Sequence, residues 1–285
     1  MVSLELEARL ENLLSTGQKE TANVSLFAPI PEREECPICM IPLPLEEDGI
    51  TFMQCCGKTI CCGCTNKNMN NERKKGDKPK CAFCRRPLTK AEKEYMKEIK
   101  RLMKNDNPDA FMHMAARYRS GEDGVLQSNT KALEMYIRSA ELGKAQAYAC
   151  IGGFYSQGIA VTRDTSKAME FYDVAAKKGA FQAHVMLAHY MLWAGKREGE
   201  MDWDIDHLNV LASAGHQKYS MNDLMERYKS KLLDKEVLTK TLRAFQTSSN
   251  AMKSKERDEA RAFLQEFGTL SVGSNKGKAV PRKGR

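Results

Sequence analysis

Nine of the ten cysteines fall between residues 36 and 84, and their spacing is that of metal ligands. The first pair is Cys36-Pro37-Ile38-Cys39 and the last is Cys81-Ala82-Phe83-Cys84. Each has the two-residue gap that lets a tight knuckle aim two thiolates at one zinc ion. Between them runs Cys55-Cys56-Gly57-Lys58-Thr59-Ile60-Cys61-Cys62-Gly63-Cys64, in which Cys61 and Cys64 repeat the same gap. The chain starts Met-Val-Ser-Leu-Glu-Leu-Glu, which is acidic rather than basic then apolar, so a cytoplasmic or nuclear, reducing setting is expected. There, clustered cysteines read as a metal site rather than as disulfides.

Two such pairs around a cysteine-rich centre resemble the RING finger, over roughly one fifth of the chain. The resemblance implies two zinc ions in a crossed arrangement, the first and third pairs sharing one metal and the second and fourth the other. Site one would then be Cys36, Cys39, Cys61 and Cys64, and site two Cys81 and Cys84 with two cysteines from the centre. The common pattern has Cys-Gly-His where this chain has Cys56-Gly57-Lys58, and a protonated lysine has no lone pair to offer. Since no histidine precedes His113, the missing ligand must be a thiolate, and Cys55 beside Cys56 is the nearest candidate. Adjacent side chains diverge in a strand, so this requires a sharp turn, which Gly57 permits. Cys62 is left over or replaces Cys55 or Cys61, and Lys58 either offsets the charge of a thiolate site or is solvated. Closed four-thiolate sites are structural: they supply folding free energy to a segment with too few large apolar residues for a core of its own.

In RING ubiquitin ligases, catalysis is by positioning a ubiquitin-conjugating enzyme and its thioester, without a nucleophile from the ligase. On that resemblance Ile38 matches the apolar contact to the conjugating enzyme, and Arg85 matches the arginine that links it to ubiquitin, with Pro87 nearby. Ala82 and Asn68 depart from the residues that active members often carry, a proline and a bulky apolar side chain. The expectation is a RING-type ubiquitin-protein ligase. The alternative is a non-enzymatic adaptor or scaffold whose zinc module braces a protein-binding surface.

The remaining sequence positions this module. Leu6, Leu10, Leu13 and Leu14 give a short amphipathic helix in residues 1–30, which precede the zinc domain at 31–88. Thr89 and Glu92 form a capping pattern ahead of a connecting helix that begins near Lys90 and runs within 89–106, and Asn107-Pro108-Asp109 caps the next helix. From 107 to 216 the chain repeats itself, with Gly143, Gly179 and Gly215 36 residues apart. Lys131-Ala132, Tyr136 and Ala140 return as Lys167-Ala168, Tyr172 and Ala176; Ala110, Met114, Ala115, Tyr118 and Gly121 return as Ala147, Ile151, Gly152, Tyr155 and Gly158. Each unit reads as a helical hairpin whose small residues at 115, 152 and 188 allow close helix approach. These residues resemble the Sel-one-like repeat, a relative of the tetratricopeptide repeat. Two units match it well, and a third is degenerate, keeping Ala183, Leu187, Ala188, Ala212 and Gly215 but carrying Met191, Ala194, Trp203 and Leu208 where the second has Tyr155, Gly158, Lys167 and Tyr172. Such repeats imply a protein substrate or partner held in a groove lined by the first helix of each unit, near Arg117, Gln146 and Gln182.

Residues 217–267 read as a helical cap over the end of the repeats, and 268–285 as a disordered basic tail. That tail supplies five positive charges, so the net charge of +8 does not describe the folded body. Its lysines and arginines, and those around Arg73, lack interleaved aromatics, which argues against nucleic acid, and no apolar run is long enough for a membrane. Five scattered histidines show no metal spacing, and the repeat tyrosines read as core. The expected architecture is mostly α: a small two-zinc RING domain followed by an α-solenoid of helical hairpins with C-terminal helices.

Overall fold

The computed structural model describes residues 3–29, 34–44, 49–76, 78–88, 92–121, 124–193, 201–214, 220–231 and 233–267. Thr89, Lys90, Ala194, Gly215, His216, Leu232 and the tail from 268 lie outside these, as do the side chains of Met191 and Trp203. The architecture is mostly α: a cysteine module followed by a solenoid of hairpins, with further helices at both ends.

Six helices of thirteen residues form the solenoid. They pair as α4 (Pro108–Ser120) with α5 (Asn129–Glu141), α6 (Ala145–Gln157) with α7 (Thr165–Lys177), and α8 (Phe181–Trp193) with α9 (Met201–Ser213). The third hairpin forms although several of its marker residues are replaced, because the markers it keeps, Ala183, Leu187, Ala188 and Ala212, are buried together with Leu208. Asn107, Ser128 and Asp164 accept hydrogen bonds from the first turns of α4, α5 and α7. Gly143 and Gly179, at φ 88° and 91°, turn the chain after α5 and α7. Tyr136, Tyr155 and Tyr172 are buried in the shared core.

The periodic small residue of α6 works by contact. A Cβ at Gly152 would lie 2.7 Å from Tyr172 Cε1 and 3.1 Å from the Ala168 carbonyl, whereas one at Gly153 would meet nothing closer than 3.8 Å. Gly152→Ala is therefore expected to destabilise the fold by about 1–3 kcal/mol through overpacking. Gly153→Ala should stabilise it by up to about 1 kcal/mol through helix propensity. Urea midpoints of the two variants check this, and equal midpoints would remove the close-approach argument.

The N-terminal helix α1 (Leu4–Glu20) lies against α5 and α7, the second helices of the first two hairpins. Its Leu6, Leu10, Leu13 and Leu14 join their core, and a Cβ on Gly17 would come within 2.7 Å of Val174 Cγ1. Arg9 to Glu141 at 2.8 Å and Lys178 to Glu20 are ion pairs at its rim. The C-terminal end of the solenoid is covered by α10 (Ser220–Lys229) and α11 (Lys235–Ala251), where Leu224, Leu233, Leu238 and Phe245 pack on Leu208 and Ala212. The last helix, α12 (Lys255–Phe267), does not join this cap. It packs on the cysteine module.

That module contains an antiparallel hairpin of β1 (Ile50–Met53) and β2 (Lys58–Cys61), then α2 (Cys62–Lys74). It is not an isolated unit. Helix α3 (Glu92–Lys104) joins it to the repeats through one apolar cluster of Tyr95, Ile99, Leu102, Ala110 and Met114, against which Phe52 of β1 packs. Phe52 also stacks on His113 of α4 at 4.3 Å, and Arg101 of α3 donates to the Cys55 carbonyl at 2.8 Å.

Candidate metal centre

Two knuckles of the same form open and close the module. In the first, Cys36 N–H donates to the Ile41 carbonyl and Met40 N–H to the Cys36 carbonyl; in the second, Cys81 N–H donates to Arg86 and Arg85 N–H to Cys81. Met40 and Arg85, each four residues after the leading cysteine, hold φ values of 55° and 63°. The left-handed backbone is thus a demand of the knuckle rather than of either side chain.

Between the knuckles, the turn joining β1 to β2 solves the problem of adjacent ligands. Cys56 and Gly57 N–H both donate to the Met53 carbonyl, and Gly57 sits at φ 70°. A Cβ there would lie 2.7 Å from Asn107 Nδ2, so this corner has no room for a side chain as well as a backbone that favours glycine. The turn brings Cys55 and Cys56 to the same side as Cys81 and Cys84.

The result is two clusters, Cys36, Cys39, Cys61 and Cys64 in one and Cys55, Cys56, Cys81 and Cys84 in the other, with the sulfurs of each within 4.8 Å of one another. Cys62 belongs to neither and is buried at the start of α2. Zinc–sulfur bonds of about 2.3 Å in a tetrahedron separate the sulfurs by about 3.8 Å. Cys39 and Cys61 are 3.8 Å apart, and Cys56 and Cys81 are 3.9 Å apart. Either cluster could hold a metal ion, and the all-thiolate donor set suits zinc.

Charge within each cluster is uneven. A hydrogen bond from the Cys61 thiol holds Cys36 down to about 4 against the effect of burial, with the N–H of Cys61 also helping. The same bond, with burial, pushes Cys61 up. Burial and the charge on Cys36 push Cys64 up to about 12. In the second cluster, burial opposes ionisation of Cys84, but the Arg86 N–H and the thiols of Cys55, Cys81 and Cys56 outweigh it and lower Cys84. Burial and Cys84 raise Cys55, and burial pushes Cys56 up to about 11 although the Lys58 N–H acts against it. The raised thiols must lose protons to an incoming ion, so acid opposes metal binding. Lys58 itself is exposed on β2 and reaches the cluster through its backbone.

Of the three surface residues singled out in the sequence, Ile38 is 42% exposed on the first knuckle. It lines a shallow depression of about 330 Å³ with Asn68, Asn71 and Ala82, bordered by Ser254 and Glu256 ahead of and within α12. Arg85 is turned towards α2, donating to Glu72 Oε1 at 2.6 Å and to Asn68 Oδ1 at 2.8 Å, while Asn68 Nδ2 donates to the Lys80 carbonyl. Glu72 is buried, and the Arg85 guanidinium holds its carboxylate below the usual range. Asn68 thereby serves to join α2 to the second knuckle. Pro87 is exposed and pairs across the knuckle with Lys80.

Two contributors were not legible in the sequence. Arg257 of α12 reaches the first cluster from 218 residues beyond Cys39, and no local motif marks it. His184 and His207, buried on α8 and α9, meet at 2.9 Å between their Nδ1 atoms, a pairing of neighbouring helices that no short spacing reveals.

The Sel1 repeat family matches residues 109–144 and 144–179, which are the first two hairpins. These segments are Sel1 repeats. Among solved structures, the chain is similar to a Sel1 repeat protein from Oxalobacter formigenes, at 23% identity and a TM-score of 0.45, covering 70% of this chain and 72% of that one. It is also similar to c5321, a protective antigen present in uropathogenic Escherichia coli strains displaying an SLR fold, at 17% identity and a TM-score of 0.32, covering 75% of this chain and 50% of that one. No described helix is long and apolar enough to cross a membrane.

Proposed function

We propose that this chain is a protein-interaction scaffold in which two structural zinc ions hold a RING-like module against a Sel1-repeat solenoid that binds a partner protein. The observation that carries this reading is the joining of two four-cysteine clusters to the repeats through α3 and the Phe52–His113 stack. Four thiolates on each ion leave no open position for substrate, so the metal builds the fold and does not perform chemistry. Helix α1 covers part of α5 and α7, which leaves the first helices of the hairpins as the partner surface. Within the expected groove, Arg117 is already engaged, stacking at 4.0 Å on the Tyr95 ring of α3. Met186 and His189 of α8 are exposed there instead. Met186→Glu and His189→Glu should abolish capture of a protein partner by the full chain while zinc content and helicity stay unchanged. Capture unaffected by both variants would sink the repeat-surface reading.

The exposure of Ile38 beside Ala82 and Asn68 favours a second, finer reading, a ubiquitin-protein ligase that docks a ubiquitin-conjugating enzyme at this depression. Under it, Ile38→Ala weakens docking by about 1–2 kcal/mol, the range for loss of an apolar interface anchor. Arg85 and Pro87 would complete the contact. Because Arg85 is bonded to Glu72 and Asn68, Arg85→Ala should slow ubiquitin discharge only if the guanidinium leaves these partners when the thioester is bound. Discharge at the uncatalysed rate across a panel of conjugating enzymes would leave the scaffold reading alone.

A further inference from the structure

The first cluster receives a side chain from the far end of the sequence. Arg257 lies on α12, and its residue is only 4% exposed. Its Nη1 donates to the carbonyls of Pro42 and Met252 at 2.8 and 3.0 Å, and its Nη2 to the carbonyl of Ile41 at 3.1 Å. That second nitrogen also lies 3.8 Å from Cys39 Sγ, and the guanidinium acts on Cys61 as well. Pro42 and Ile41 belong to the first knuckle, and the Ile41 carbonyl also accepts from Cys36 N–H. One planar fork thus grips the loop that carries Cys36 and Cys39 while facing the sulfur of Cys39.

The backbones are brought close enough for this grip at Gly63. A Cβ there would lie 2.8 Å from Arg257 N and 2.9 Å from the Glu256 carbonyl carbon, so α12 can rest on α2 only because residue 63 has no side chain. Lys67 and Glu256, 2.8 Å apart, form an ion pair at the outer edge of the same contact.

A divalent ion held by four thiolates carries a formal charge of about −2, and burying that charge is unfavourable without a nearby cation. A guanidinium that cannot lose its charge, donating in a fixed plane, suits such a place better than a lysine ammonium. We propose that Arg257 is a positioning residue for metal site one, orienting the Cys36–Cys39 knuckle and offsetting the charge of its thiolates, so that docking of α12 and metal retention at this site are linked. The proposal rests on the reading that the clusters hold zinc. It makes the two sites unequal, because Arg257 faces the first and not the second. By reciprocity, whatever holds α12 on the module also tightens the first metal.

The test is zinc release from the full-length chain into a chromogenic chelator, for wild type, Arg257→Met, Arg257→Lys and Lys67→Ala. Two zinc ions per chain are expected at the outset, and an absence of metal from wild type would overturn the zinc reading itself. Arg257→Met should speed one of the two release phases by about 10- to 100-fold, the usual effect of losing an outer-sphere partner, and leave the other phase unchanged. In the cobalt-substituted protein it should also shift the thiolate-to-metal charge-transfer band, which loosened packing alone would not do. Lys67→Ala weakens the α12 contact without touching the sulfur-facing group, and should quicken the same phase by less than Arg257→Met does, leaving the other phase at the wild-type rate. Should Arg257→Met fail to fold, Arg257→Lys carries the test. Its ammonium keeps the charge but cannot span the carbonyls and the sulfur together, so one phase must still quicken. Two zinc ions released at wild-type rates from the Arg257 variants, or both phases quickened alike, would overturn the role of Arg257 while leaving the zinc reading standing.

Discussion

Removing metal from the purified chain with a strong chelator is expected to unfold residues 34–88 and to leave the solenoid helical. The module's own core consists of Leu43, Met53, Ile60 and cysteines, with few other apolar neighbours, so little apolar area holds it once the clusters open. A structural zinc in a small module contributes about 10–16 kcal/mol of apparent binding free energy, which exceeds what such a core can replace. The solenoid core, by contrast, runs from Leu6 of α1 to Leu187 of α8 without any residue of the module. Amide hydrogen exchange resolved by peptide should show β1, β2, α2 and α12 losing protection together, while α5 to α7 stay protected. The first turns of α4 should loosen partially, since Phe52 packs against the cluster that contains Ala110 and Met114. Cys36→Ser and Cys81→Ser should each produce the same pattern from a single side chain. Protection of residues 34–88 that survives removal of all metal would defeat the structural-zinc reading.

The second large effect is acid destabilisation through buried histidines. Burial lowers His184 to about 4 and, with the nearby His184, lowers His207 to about 3. His113 is lowered to about 4, mainly by burial and then by the charge of Arg117. In the unfolded chain each binds a proton below about pH 6.5, whereas in the folded chain none does until near pH 4. The unfolded state therefore holds more protons between these limits, and the stability is present above pH 6.5 and lost as pH falls towards 4. For one histidine moved from 6.5 to about 4, the loss between pH 7.5 and 5 is about 2 kcal/mol. A proton on both members of the His184–His207 pair would also set two N–H groups against each other across 2.9 Å. Urea midpoints read from Trp193 and Trp203, which lie on α8 and α9, should fall steeply over this range. His184→Leu should flatten the slope by about one proton, and an unchanged slope would show that these rings are already protonated in the fold.

What the sequence determined by itself is local or periodic. The two-residue gaps announced both knuckles, because a knuckle is closed by hydrogen bonds within a few residues, such as Cys36 to Ile41 and Cys81 to Arg86. The 36-residue step announced the hairpins, since Gly143 and Gly179 follow equivalent helices and Ala115 and Gly152 are both buried small residues on the first helices of their hairpins. The third hairpin shows the limit of marker residues: its helices keep the thirteen-residue length of the others although several markers are replaced. Tertiary structure decided the rest. The gathering of Cys55 and Cys56 with Cys81 and Cys84 depends on a turn pressed against Asn107 and Leu102, and the place of α1 depends on a gap beside Val174 that only Gly17 fits. Arg257 reads in sequence as one charge on an amphipathic helix, and the same stripe would have served in the cap beside α11. Its role appears only when α12 lies on Gly63 of α2, because a cation and a thiolate cluster separated by about two hundred residues of chain find each other through packing, which no sequence window records.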